Sequence, residues 1–124
     1  MNYKILLLDS NRAGLEKETR ELEQGGLTVA GATNFTEACN MLKEDGAIHA
    51  VLTEWELPVN NSKTSGKIEG FQMFQEFLKI RYEIFIYLFT SEKNARASGG
   101  IINGYFYKGD RDYDDIIRKI TSEV

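Results

Sequence analysis

The residues of this chain best suited to chemistry stand at the ends of its short apolar runs. Asp9 and Ser10 follow Lys4 to Leu8, and Glu54 lies near the end of Ile48 to Trp55. Thr90 and Ser91 follow Ile84 to Phe89, and Lys108 closes the run from Tyr105. Two carboxylates, several hydroxyls and an amine gathered at one rim form a constellation able to hold charge. Other chemistries are excluded by residue count. Cys39 and His49 are the single cysteine and the single histidine, so those types cannot build a zinc cage. A lone cysteine cannot close an internal disulfide, which points to a reducing compartment, the cytoplasm. Cys39 falls on an apolar helical stripe and reads as a small core residue rather than a nucleophile. His49 reads as a histidine at the solvent edge.

With 124 residues, the chain is expected to form one domain over 1–124. A hydrophobic share of 42% against 27% charged excludes a disordered or collagen-like chain. Fifteen basic against nineteen acidic residues give −4. Nucleic acid is therefore not an expected partner, because neutralising phosphates takes clustered Lys and Arg. A membrane is not expected either: Ile5 to Leu8 is too short for a span or a signal segment.

The elements that must position the rim residues follow from periodicity. Lys4 to Leu8 reads as a buried strand, and Arg12 to Gln24 as a solvent-facing helix with Leu15 and Leu22 inward, stopped by Gly25-Gly26. Leu27 to Ala32 is a second strand. Asn34 or Thr33 caps a helix carrying Phe35, Ala38, Cys39 and Leu42. Ile48 to Trp55 is the third strand. Pro58 is expected to end regular structure, leaving Val59 to Lys67 as an exposed loop. Phe71, Phe74, Leu78 and Arg81 mark a third helix; Phe77 falls off that stripe as a candidate exposed contact. Ile84 to Phe89 and Tyr105 to Lys108 are the last strands, with a short helix expected over Ser91 to Ser98. Tyr113, Ile116, Ile117 and Ile120 line the final helix. Alternating strands and helices predict an α/β three-layer sandwich with a five-stranded parallel sheet, whose functional groups collect beyond the strands' carboxyl ends.

The segments LLLDSN, VLTEWELP, YLFTSE and GYFYKG, in that order, resemble the receiver domain of two-component response regulators over essentially the whole chain. The resemblance implies a flavodoxin-like fold of strand order 2-1-3-4-5. It places Glu54 where the phosphorylated aspartate would be. Asp9 takes the first position of the acidic pair, and Ser10 replaces the second. Thr90 and Lys108 match the residues that hold the transferred group, and Tyr105 matches the aromatic that swings between states.

The departures carry physical weight. Glu54 is one methylene longer than aspartate, which moves its oxygens by about one C–C bond, roughly an ångström. Productive geometry tolerates about 0.5 Å. Ser10 removes one cation ligand, so no resident cofactor or metal is expected; Asp9 and Glu54 are the two acids left that could hold magnesium. Gly109 stands where the family usually has proline. Glu54 either pairs with Lys108 and freezes one state, or is an ordinary charge at a strand end; both readings stay open. The function implied is a non-catalytic pseudo-receiver acting as a regulatory or oligomer-assembly module, alone or at the front of a larger protein. One alternative is a phosphorelay receiver that still binds magnesium. Another, a small-ligand or flavin site of flavodoxin type, is opposed by the lack of a Ser/Thr/Gly-rich phosphate loop after the first strand.

A second resemblance rests on GYFYKGDRDYDDIIRKI, EWEL and IRYEIFIYLFTSE. These segments are similar to the N-terminal wing domain of bacterial ornithine/lysine/arginine decarboxylases, a receiver-like fold without phosphorelay chemistry. The N-terminal wing domain of such a PLP-dependent decarboxylase is a further alternative. Either family implies a protein partner or a homodimer. Tyr105 would lie on the surface receivers use for such contacts. Trp55 is expected to pack on the neighbouring loop. The four aspartates among Asp110 to Asp115 read as favourable charge at a helix start.

Overall fold

The computed structural model describes residues 3–91 and 102–123. The helix expected over Ser91 to Ser98 lies almost wholly outside them. In chain order the elements are β1 (Lys4–Leu8), α1 (Arg12–Gln24), β2 (Thr28–Ala32), α2 (Phe35–Glu44), β3 (Ile48–Thr53), β4 (Glu56–Pro58), β5 (Lys67–Glu69), α3 (Gly70–Ile80), β6 (Phe85–Thr90), β7 (Gly104–Tyr107) and α4 (Tyr113–Glu123). The main sheet runs β2-β1-β3-β6-β7, all parallel. Counting only its strands, that is the expected flavodoxin-like order 2-1-3-4-5.

Alternation within the strands sorts the core into two layers. Leu6, Leu8, Val51, Ile86 and Leu88 face α2 and α3, packing with Ala38, Leu42, Met73, Phe74 and Phe77. Ile5, Leu7, Ala50, Leu52, Tyr87 and Phe89 face α1 and α4, with Leu15, Leu22, Ile116 and Ile120. Helices on both faces explain why the central strands are apolar throughout rather than alternating.

Local chemistry sets the helix starts. The Asn11 side chain accepts the Gly14 N–H at 3.1 Å to open α1, and the Asn34 side chain accepts the Glu37 N–H at 2.8 Å to open α2. Arg81 closes α3 and ties it to α2 and β3, its guanidinium donating to the carbonyls of Leu42, Asp45 and Ile48. Asp114 and Asp115 fall in the first turn of α4, and Asp112 accepts the Asp115 N–H at 3.0 Å.

The structure corrects three expectations. Pro58 does not end regular structure: it pairs with Lys67 in a two-stranded antiparallel ribbon, β4–β5, that carries the 59–66 segment at its tip. A ribbon with two free edges tolerates a residue that lacks an N–H. Phe77 is not an exposed contact; it is fully buried and its ring meets Phe35 at 5.7 Å. It lies four residues after Met73, on the buried side of α3. The last strand ends at Tyr107, and Lys108 opens a 3₁₀ turn, Lys108–Asp110. His49 is half-buried, its Nδ1 accepting the Lys4 N–H at 3.3 Å.

Truncating Phe77 therefore removes a filled core position, whereas Tyr82, at 81% exposure, fills none. Phe77→Ala is expected to lower unfolding free energy by about 3–5 kcal/mol in urea titrations. Tyr82→Ala should stay within about 0.5 kcal/mol.

Candidate functional site

Register brings the rim residues together. Leu8 pairs with Thr53, so Asp9 and Glu54 each emerge one residue beyond a matched pair on adjacent strands. Thr90 pairs with Tyr107, which places Thr90 beside the residue preceding Lys108. Parallel strands end together at one rim, so side chains 99 residues apart in sequence meet there.

The Lys108 ammonium is the centre. It lies 3.0 Å from Asp9 Oδ2, 3.1 Å from Glu18 Oε2 and 3.5 Å from Glu54 Oε2. It also stands 5.1 Å from the centroid of the Phe89 ring. Burial alone would lower the Lys108 pKa; the carboxylates of Glu18, Glu54 and Asp9 outweigh it and raise it. Asp9 is buried, its Oδ1 accepting the Asn11 N–H at 2.8 Å. Glu54 Oε1 accepts the Ser10 N–H at 2.9 Å and the Ser10 hydroxyl at 3.2 Å. Glu54 thus pairs with Lys108, although that contact is the longest of the three. Thr90 is buried and, with Ser91, Ser10, Glu54, Trp55 and Glu56, lines a small polar cleft of about 200 Å³.

Glu18 is the residue that sequence reasoning missed. It is 6% exposed and sits on α1 between Leu15 and Leu22, three residues after one and four before the other. That spacing puts it on the buried stripe, and a charged residue on an apolar stripe was the available signal. Burial first, then a hydrogen bond with Asp9, pushes its pKa up from 4.5 to about 7, against the lowering pull of Lys108. Its Oε2 faces Lys108, while no donor faces the buried Oε1. Ionised, Glu18 leaves that oxygen unsatisfied; protonated, it can donate to Asp9. The Tyr113 hydroxyl is also pushed up, by burial and then by Glu18.

Comparison with known proteins bears on this geometry. No family model matches the chain, and no curated protein matches it. Solved structures do. A CheY-like receiver domain protein from Methanospirillum hungatei superimposes at TM-score 0.76 and 20% identity, covering 99% of this chain and 94% of its own. The response regulator TrrA from Thermotoga maritima, solved in complex with Mg²⁺ and BeF, gives TM-score 0.80 at 21% identity, over 98% of this chain and 99% of that one. A structure of two RcsB dimers bound to two parallel DNAs gives 0.80 at 17%, over 98% of this chain and 63% of that one.

The chain has the response regulator receiver fold. In this receiver fold the strand ends that carry Asp9, Glu54, Thr90 and Lys108 meet at one rim. Tyr105 is 37% exposed and points away from the face on which Phe106 packs against Tyr87. Trp55 packs edge-on against Phe71 and Phe74 and also borders the cleft beside Glu54. Gly109 lets the Tyr107 ring lie where a Cβ would sit, 2.3 Å from the nearest ring atom. Gly14 does the same for Asp9: a Cβ there would come within 2.7 Å of Oδ2. The carboxylate oxygens facing inward are already engaged. Asp9 is held by Asn11 and Lys108, and Glu54 by Ser10 and Lys108. Among the described residues no group of three His, Cys, Asp or Glu is arranged to hold a metal ion. The Lys108 ammonium stands against one oxygen of each of these carboxylates.

Two outcomes follow from the cluster. Between pH 4.5 and about 7, folded Glu18 binds a proton that the unfolded chain has released. Stability should therefore fall as pH rises through that window and level off above it. Lys108 titrates far above this range and does not contribute there. Urea midpoints from pH 4.5 to 8 should show the slope in wild type and its flattening in Glu18→Gln, which keeps a donor for Asp9 without ionising. Lys108→Met leaves the carboxylates without their cation and should cost about 3–5 kcal/mol at pH 8, measured by the same titrations. Protonation of Glu18 should make that cost smaller at pH 5.

Proposed function

We propose that this chain is a pseudo-receiver: a non-catalytic module that regulates or assembles through protein contacts and accepts no phosphoryl group. The observation that carries this reading is the state of Glu54. Its Oε1 is held by both donors of Ser10 and its Oε2 faces the Lys108 ammonium. A carboxylate with both oxygens held by protein donors is a poor nucleophile. The extra methylene also carries its oxygens into the space a phosphoryl group would need. We further propose that the Lys108 ammonium supplies the positive charge a divalent cation would otherwise bring, so that the rim is neutralised from within. An internal cation cannot come and go with the ligand, which favours one fixed state over a switch.

The face that includes Tyr105 supports the choice of partner. The aromatic lies within β7 opposite Leu88, on the sheet face away from Phe106 and α4, and is exposed there. Structures of the same fold include RcsB solved as dimers. A protein partner or a second copy of the chain is the contact proposed for this face; nucleic acid is not, given the net charge of −4.

Incubation with acetyl phosphate and magnesium, followed by intact-mass measurement, tests the reading. No added phosphoryl mass is expected. A stable adduct mapped to Glu54 would overturn the proposal in favour of a working phosphorelay receiver.

A further inference from the structure

A second polar site lies beside the Lys108 cluster, on the other side of Ser10. A cleft of about 360 Å³ opens between the end of β1, the end of β2 and the β4–β5 ribbon. That is the size of a small-molecule pocket at the lower end of the usual range. Its place is also where ligands gather in open α/β sheets. Strand order β2-β1-β3 means that the chain leaves β1 toward one side and later crosses to the other. The loops after β1 and β3 therefore diverge at the Asp9–Glu54 rim, and this cleft lies next to that point, on the β2 side of Ser10.

The lining has one sign of charge. Lys63 and Lys67 border the cleft, the rest of the wall is hydroxyl, amide, proline and glycine, and no carboxylate reaches it. In a chain with nineteen acidic residues this is not the common case. The four other clefts described each carry at least one Asp or Glu. Lys67 is paired with Glu56 at 3.0 Å, whereas Lys63 forms no ion pair among the described residues.

The wall is also braced. Asn34 is buried, held by the cap it makes at α2, and donates its Nδ2 to Asn61 Oδ1 at 2.9 Å. Asn60 Oδ1 accepts the Ser62 N–H at 2.8 Å, and the Val59 N–H donates to the Gly66 carbonyl at 3.1 Å. The segment from 59 to 66 is thus folded back on itself rather than extended into solvent. A wall fixed in advance loses little freedom when an anion arrives.

We propose that this cleft binds a small phosphate-bearing ligand, with Lys63 supplying charge and the side chains of Thr33 and Asn61 supplying donors. No carboxylate borders the wall, so a phosphate meets no fixed negative charge there. The proposal concerns binding alone and is separate from phosphoryl uptake at Glu54; a failed adduct experiment and a failed titration are independent results.

The test is a titration of ¹⁵N-labelled full chain with inorganic phosphate and, in a second arm, ribose 5-phosphate, against sodium chloride at matched ionic strength. Saturable shifts are expected at the amides of Ser10, Thr33, Asn34 and the 59–67 segment. Tighter binding of ribose 5-phosphate would assign the rest of the cleft to an organic moiety; equal affinity would assign it to phosphate itself. Lys63→Glu, at an exposed position where folding is not at stake, should weaken binding about tenfold or more. Absence of saturation in both arms, or shifts that survive unchanged in Lys63→Glu, would overturn the proposal.

Discussion

One ammonium group, that of Lys108, stands among three carboxylates that reach it from three different elements. Asp9 comes from the end of β1, Glu18 from the middle of α1 and Glu54 from the end of β3. Each charge is largely withdrawn from water, and each would be costly there alone. Their mutual presence ties the last strand to the first, and the first helix to both. The cluster is therefore a constraint on the fold as well as a site. A strand order that separated β1, β3 and β7 would leave several buried charges unpaired at once.

The same constraint explains why Ser10 and Glu54 belong together. A carboxylate at position 10 would add another negative charge to a cluster that already holds three around one cation. A serine there adds a donor instead, and both its N–H and its hydroxyl go to Glu54. The longer Glu54 reaches back to those donors and across to Lys108. Changing one of the pair alone would leave Glu54 short of partners or the rim short of positive charge. Glu18 adds the remaining tension. With its pKa near 7 it is poised between sharing a proton with Asp9 and burying an unsatisfied oxygen.

Much of this was legible in the sequence. Continuous apolar runs such as Ile5 to Leu8 announced strands buried on both faces, and Asn11 and Asn34 announced helix starts. The rim residues could be named because parallel strands end at a common edge, so position along the chain becomes position in space. What was not legible depends on side-chain reach. Glu18 lies on a helix whose surface is crowded with charge, and only its phase relative to Leu15 and Leu22 separates it from its exposed neighbours. Phe77 was misplaced because the stripe of α3 was drawn through Phe71, Phe74 and Leu78. The buried side instead runs through Met73, Phe74 and Phe77, where α3 meets Phe35 of α2. Pro58 was taken as a stop because proline cannot sit in a central strand, a rule that does not bind an isolated ribbon.

That ribbon connects the two polar regions of the molecule. Ser10 borders the cleft beneath it and also supplies the two donors that hold Glu54. An anion that drew on the Ser10 hydroxyl would compete with Glu54 for it, because a single donor cannot serve two acceptors at full strength. Releasing Glu54 Oε1 would leave Lys108 as the remaining hold on that carboxylate and shift the balance among its three partners. Such competition would link occupancy of the cleft to the charge state of Glu18 through Lys108, each altering the other by the same factor. The sign follows from charge: a carboxylate freed from Ser10 leans more heavily on Lys108, which draws the ammonium away from Glu18 and favours its protonated form.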